Sequence, residues 1–301
     1  MTDRVPTASR RDQGLAPYVV ITPVRNEEDY VEQTIESMLN QTIPPAEWIL
    51  VDDGSDDCTP QILEQYALRV PWLRVVTRPD RGFRESGRGV VEAFYHGYRH
   101  LRSRDWDFIV KLDGDLVFEN DYFERCLRHF AQEPLLGIAG GTIESVGKNG
   151  IRPEGHPVFH VRGATKIYRR RSWEEIGGLV SAPGWDALDE IKANMLRWQT
   201  RTFPDLVLTQ LRPTGSAQGQ WRDWLKGGEG SYLIGYHPIF LFARSILRAR
   251  RSPYLIASTG LLVGYVRAFV KRLPRAADAE TVAYVRKQQL ARLLGRESMW
   301  R

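Results

Sequence analysis

Two aspartates stand two residues apart in Asp113-Gly114-Asp115, directly after the apolar run Phe108-Ile109-Val110-Lys111-Leu112. In extended backbone such residues project to the same side, so both carboxylates can face one cation or one set of hydroxyls. Hard oxygen donors of this kind suit Mg2+ or Mn2+, and either ion can bridge a diphosphate. A second polar cluster, Asp52-Asp53-Gly54-Ser55, closes the apolar run Trp48–Val51. A carboxylate there can accept from a nucleobase N–H or from ribose hydroxyls, while Gly54 lets the chain turn tightly. A third, Thr22-Pro23-Val24-Arg25-Asn26-Glu27, closes the β-rich run that begins at Tyr18. Each cluster alone also reads as ordinary turn polarity. For Asp56 and Asp57 that plainer reading is preferred, with Asp57 or Thr59 capping the next helix. Three such ends in one chain are harder to explain as loop polarity.

The elements that must carry these clusters alternate. Val31, Ile35, Met38 and Leu39 recur at helical spacing after Asn26, which reads as an N-cap. Thr59-Pro60 opens a second helix, Leu73–Val76 is a third strand, and Val90, Val91, Phe94, Tyr98 and Leu101 mark a third helix. The run Phe108–Leu112 precedes a helix with Phe123, Cys126, Leu127 and Phe130. Strand and helix in alternation predict an α/β fold with a mainly parallel sheet covered by helices on both faces. Ligands of such sheets bind beyond the carboxyl ends of the strands, where the three clusters stand. Further on, Ser172-x-x-Glu175 reads as a capping box, and a helix is expected over Ala187–Trp198.

Of the 301 residues, 42% are hydrophobic, 26% are charged and the mean hydropathy is −0.39, which excludes a disordered chain, a coiled coil and a collagen-like fibre. Two cysteines cannot form a disulfide framework, and a reducing compartment is the default. The polar first residues lack the apolar stretch of a signal peptide. The net charge of +5 hides an asymmetry: residues 241–301 hold 13 Lys and Arg against 3 Asp and Glu, whereas the first 240 hold 29 against 34. The basic tail therefore points to a polyanionic surface. Its apolar runs, Pro238–Ala243 and Tyr254–Val266, are shorter than the ~20 residues that span a bilayer, and suit a helix lying in the membrane interface. A buried helical hairpin with a solvated basic face is the alternative. Nucleic acid is not expected as a partner, since no reading motif accompanies the charge.

The ordered set Ile21–Glu27, Val51–Asp57 and Lys111–Asp115 resembles a family-2 glycosyltransferase of the GT-A fold over roughly residues 17 to 212. The resemblance implies that Pro23, Arg25 and Glu27 surround the nucleotide, that Asp53 pairs with its base, and that Arg88 also reaches it. It matches Asp113, Gly114 and Asp115 to the DxD motif, with Asp115 holding the Mg2+ or Mn2+ that carries the sugar-nucleotide diphosphate. The family presents a Glu-Asp pair before a helix as its catalytic base. Here Trp185-Asp186-Ala187-Leu188-Asp189-Glu190 has the reversed order. Asp189 is favoured as the base, Glu190 is its rival, and Asp186 is read as a helix N-cap.

His160 and His237 are each weighed as a further metal or phosphate ligand against packed or surface roles. Trp221-Arg222-x-Trp224 either holds acceptor by stacking or anchors the tail. No QxxRW signature of a processive synthase is present. The expected organisation is a leader (1–15), a Rossmann-like GT-A domain (16–212) and a basic, partly apolar helical region apposed to a membrane (213–301). The resemblance implies an inverting transfer of sugar from a nucleoside-diphosphate sugar to a hydroxyl of a glycan or lipid-linked acceptor. The expected setting is polysaccharide or glycoconjugate biosynthesis at the cytoplasmic face of an anionic membrane. The competing readings are an inactive nucleotide-sugar-binding module and a sugar-phosphate nucleotidyltransferase. The latter is disfavoured because Thr22–Asn26 offers no glycine for a phosphate loop.

Overall fold

The computed structural model describes residues 16–82, 87–147, 150–153, 157–212, 220–249 and 254–299. The expected leader and the basic pair Arg250 and Arg251 lie outside them. The first part alternates as expected: β1 (Tyr18–Val24), α1 (Val31–Leu39), β2 (Glu47–Asp52), α2 (Thr59–Ala67), β3 (Leu73–Thr77), α3 (Arg88–Arg99) and β4 (Phe108–Leu112). Then come β5 (Leu116–Phe118), α4 (Tyr122–Gln132), β6 (Leu136–Gly147), β7 (Gly150–Pro153), β8 (Thr165–Arg169), α5 (Arg170–Ile176), α6 (Trp185–Met195) and β9 (Gln199–Gln210). Four helices follow: α7 (Gln220–Ile234), α8 (Pro238–Ala249), α9 (Ile256–Val270) and α10 (Ala279–Leu293).

One sheet runs in the order β3-β2-β1-β4-β8-β6-β9-β5, with β7 paired to β6. Strands β3, β2, β1 and β4 are parallel, with Val20 opposite both Trp48 and Val110. The order reverses around β1, so the clusters ending β1, β2 and β4 meet at one topological switch point, where α/β sheets bind ligands. Beyond β4 the sheet is mixed. β8 is antiparallel to β4, placing Lys166 opposite Lys111, and β9 is antiparallel to β5, placing Gln210 opposite Leu116.

Side chains alternate between two cores. Val20, Leu50 and Val110 pack with Ile35, Leu63 and Phe123 on one face, and Val19, Ile49 and Ile109 pack with Phe94 and Trp173 on the other. A third cluster joins Leu188 and Ile191 of α6 to Leu233, Phe240, Tyr265 and Val285, so the C-terminal helices pack directly on the helix that carries the expected base.

Three local expectations are corrected. Asn26 caps no helix: α1 starts at Val31, and Asn26 sits in the left-handed region at φ 52°, its amide donating to Asp56 Oδ1 at 2.6 Å. Asparagine tolerates that conformation because its short side chain bonds locally. Ser172 lies inside α5 rather than at its cap, because that helix leaves β8 without a break. Helix α6 begins at Trp185 and ends at Met195, which puts Asp186 in the first turn behind a left-handed Gly184. Its expected N-cap role falls away, because the turn is made by a glycine with φ 80°.

Candidate functional site

The first polar cluster is built at the tips of β1, β2 and β4. Asp115 is 4% exposed. Its Oδ2 accepts from Gln210 Nε2 at 3.1 Å, while Oδ1 is buried without a hydrogen-bond partner among the described residues. Burial first, and then the neighbouring Asp113 charge, push its carboxyl up to about 7. Glu27 is likewise buried and pushed up to about 8, by burial and then by Asp115, despite an ion pair to Arg212 at 2.7 Å. A buried carboxylate oxygen left without a proton donor fits a divalent cation, which supplies the compensating charge. Among the described residues no three His, Cys, Asp or Glu side chains converge into a complete metal cage. That suits an ion held by one or two carboxylates and completed by phosphate oxygens and water.

Gly114 has a steric reason. A methyl group on it would lie 2.6 Å from Val24 Cγ1, so the loop after β4 can pack on the end of β1 only without a side chain. Asp113 extends its carboxylate to Lys111, and its backbone N–H donates to Ala164 O at 2.8 Å. Arg25 spans the cluster, donating to Asp53 O at 2.6 Å and to Asp80 Oδ1 at 2.7 Å. Pro23 lies within β1, two residues beyond the last residue paired to β4, so its missing N–H interrupts no pairing on that side. Asp53 is buried and receives Arg78 at 2.7 Å on one oxygen and Arg81 on the other. A nucleobase engaging Asp53 must therefore displace or share one of these guanidinium groups. Arg88 opens α3, largely exposed, with its Nε on Glu92 Oε1 at 2.8 Å.

A second polar cluster lies across β8. Lys111 donates to Gly163 O at 2.5 Å, and Gly163 sits against Trp185 and Asp186. Asp113, Lys111, Gly163 and Asp186 thus form a continuous path from the strand tips to α6. Lys166 is fully buried and binds Asp189 Oδ1 at 2.8 Å, Asp189 Oδ2 at 3.0 Å and Glu190 Oε1 at 2.9 Å. Both lysines lie over the Trp185 ring, at 5.7 and 5.6 Å. Tyr168 OH also donates to Asp189 Oδ2, and Glu190 N donates to Oδ1 at 2.7 Å.

The three carboxylates of α6 differ in their exposure and partners. Asp189 is 0% exposed and both its oxygens are taken, so it stands as the counter-ion of a buried lysine. Glu190 borders a cavity of about 570 Å³, but its oxygens are occupied by Lys166, by Val161 N at 2.7 Å and by His160 Nδ1 at 2.9 Å. Asp186, the residue first read as a cap, borders the same cavity with its side chain partly exposed. Burial disfavours its charged form, but Lys166, His160 and Arg162 outweigh that and hold the carboxyl below the usual range, ionised at neutral pH. Tyr236, Phe240 and Arg244 close the cavity from the C-terminal side.

His160 belongs to this cavity and His237 does not: His237 Nδ1 accepts from Ile239 N at 3.3 Å at the start of α8. Burial opposes protonation of His160, but Glu190, aided by Asp186 against Lys166, outweighs it and raises its pKa. A pKa raised by folding adds stability that is complete below the unfolded value, about 6.5, and fades as pH rises through the folded value. The stability gap between the wild type and His160→Gln is therefore expected to be widest in mildly acidic buffer and to close as pH rises. Urea unfolding across a pH series measures it. Trp224 is a helix anchor, with the Arg248 guanidinium 4.7 Å from its ring centroid, while Trp221 remains exposed.

The sequence pattern of glycosyl transferase family 2 matches residues 19–182, more than half of the chain. The chain belongs to that family. Among curated relatives, a chondroitin synthase of Pasteurella multocida is 28% identical to this chain over 131 residues, 44% of the chain and 12% of the synthase. The chain thus spans far less than two thirds of that relative. Among solved structures, the mannosyltransferase PcManGT of Pyrobaculum calidifontis, in complex with GDP-Man and Mn2+, superposes with a TM-score of 0.55 at 17% identity, over 95% of this chain and 77% of its own. S. aureus TarS 1–349 in complex with UDP gives a TM-score of 0.51 at 16% identity, over 84% of this chain and 72% of its own. The chain therefore has the expected GT-A fold, with a sheet parallel in its first half and mixed in its second.

Several residues of the site escaped the sequence reading: Lys111, Lys166, Tyr168, Gln210 and Arg212. The signal for the lysines was present, since a lysine inside an otherwise apolar strand must find a counter-ion when both faces are covered.

Proposed function

We propose that this glycosyltransferase moves a sugar from a nucleoside-diphosphate sugar to a hydroxyl of a glycan or lipid-linked acceptor, in one displacement that inverts the anomeric carbon. The observation that carries the reading is the pairing of an orphaned buried oxygen, Asp115 Oδ1, with an ionised, cavity-facing Asp186 on the other side of Gly163. Pro23, Arg25, Glu27, Asp53, Arg88, Asp113 and Gly114 form the proposed nucleotide-sugar site. Asp115 is the proposed ligand of Mg2+ or Mn2+, with Asp113 beside it. When bound there, the cation offsets the negative charge that gathers on the departing diphosphate.

Asp186 takes the proton of the attacking hydroxyl. General bases of this kind need the ionised form at working pH and access to the substrate, and among Asp186, Asp189 and Glu190 only Asp186 combines the two. Asp189 and Glu190 are positioning residues: through Lys166 and His160 they fix the first turn of α6 and the strand opposite it. A lipid-linked acceptor would reach this cavity from the cytoplasmic face of a membrane.

Incubation of the full chain with radiolabelled UDP-, GDP- and dTDP-sugars and Mn2+ tests the reading. Slow release of nucleoside diphosphate from one donor, its sugar passing to water in place of acceptor, is the expected result. No release from any donor, combined with binding of one of them, would leave a nucleotide-sugar-binding module instead.

A further inference from the structure

Helix α9 is arranged inside out for a helix in water. It buries Ala257, Ser258, Gly260, Gly264 and Ala268, with Leu261 and Tyr265, and turns its large apolar side chains outward. Val266, Phe269 and Val270 are 55%, 63% and 71% exposed. The buried small residues let α7 approach to backbone contact: a methyl group on Gly228 would lie 2.1 Å from Leu261 O, and one on Gly264 2.1 Å from Leu225 O. Small residues at a helix seam with bulky apolar ones outside is the arrangement of helices that face lipid. Neighbouring α8, tied to α9 by the Ser258 Oγ bond to Ser245 O at 2.7 Å, behaves likewise. Ile239, Phe242, Ile246 and Leu247 all face outward, with Phe242 56% exposed.

The charges around this face have one sign. Between Glu229 and Asp278 the sequence holds eight Arg and Lys residues and no Asp or Glu. Arg244, Arg267, Lys271 and Arg272 are exposed. Two copies of such a face would repel each other, whereas an anionic lipid surface satisfies both its apolar and its cationic parts. No described helix is long and apolar enough to cross a membrane. The 15 residues of α9 rise about 22 Å, short of a hydrocarbon core of about 30 Å.

We propose that the outer face of α8 and α9 seats the enzyme in the interface of an anionic bilayer, apolar side chains among the acyl chains and cations at the phosphates. Phe240 and Arg244 of α8 and Leu261 of α9 also wall the cavity that holds Asp186, so the helices that meet the lipid border the path of the acceptor. The purpose of this surface rests on the lipid-linked reading of the acceptor, but its test uses no acceptor.

The full chain is sedimented with phosphatidylcholine vesicles with and without phosphatidylglycerol. Binding is expected only with phosphatidylglycerol and should weaken with salt. Lys271→Gln and Arg272→Gln should each weaken it by about fivefold, the worth of one charge near such a surface. The Phe242→Asp, Val270→Asp double variant should lose at least tenfold with an unchanged unfolding temperature, since both side chains are exposed. Absence of wild-type binding, or binding that neither set of variants reduces, overturns the proposal. So does a lipid-free dimer, seen by light scattering, that the aspartate variants dissociate. Release of nucleoside diphosphate in lipid-free buffer should be equal for all these variants, so a failed transferase reading and a failed membrane surface give different results.

Discussion

Asp186→Asn slows sugar transfer by about a thousandfold, the middle of the range for a lost general base, and leaves the fold intact. The substitution keeps the side chain's shape and removes only its capacity to take a proton. Its carboxylate borders the cavity and carries no ion pair of 4 Å or less among the described residues, so the substitution gives up only the longer-range attraction of Lys166, His160 and Arg162. Asp189→Asn should behave in the opposite way. It removes a counter-ion of Lys166, a fully buried ammonium. Breaking a buried pair from one side costs about 3–5 kcal/mol, so the variant should unfold at distinctly lower urea. The two variants together separate chemistry from scaffolding. If Asp186→Asn kept full transfer, and folded Asp189→Asn lost it, the base would return to Asp189.

Asp115→Asn gives the second large effect, on the metal. In the wild type, Mn2+ with a nucleoside diphosphate should raise the unfolding temperature well beyond the nucleoside diphosphate alone, because ligands that bind only the folded state stabilise it by mass action. In Asp115→Asn that metal-dependent increment should vanish. The apo protein keeps its stability, since Asn preserves the shape and removes a buried charge whose Oδ1 has no partner among the described residues. An unchanged increment in a thermal-shift titration would remove the metal from Asp115.

The fold was legible in the first 130 residues because each strand there is a short apolar run closed by polar residues, and each helix shows 3.6-residue spacing. The later strands were not. β6 and β9 are 12 residues each, carry glycines, a proline and charges, and change register where they pair. Their sequence therefore has neither a clean alternation nor a compact apolar run. On the site, the polar strand ends were visible and the structure brings them to one edge of the sheet. How the Trp185–Glu190 segment divides its three carboxylates between packing and solvent was not legible, for a physical reason. Residues three and four apart on a helix share a face, so Asp186, Asp189 and Glu190 all turn toward β8. Which of them reaches solvent depends on Lys166, a partner from a distant strand that local spacing cannot place. The Asp53 clamp has the same origin, as Arg78 and Arg81 come from the loop after β3.

The glycine seam between α7 and α9 has a mechanical consequence. Where two helices touch backbone to backbone, no side chain stands between them to flex, and the pair moves as one stiff plate. A push on the outer side of α9 therefore bears on α7, whose Trp224, Lys226 and Ser231 line the same cavity as Asp186.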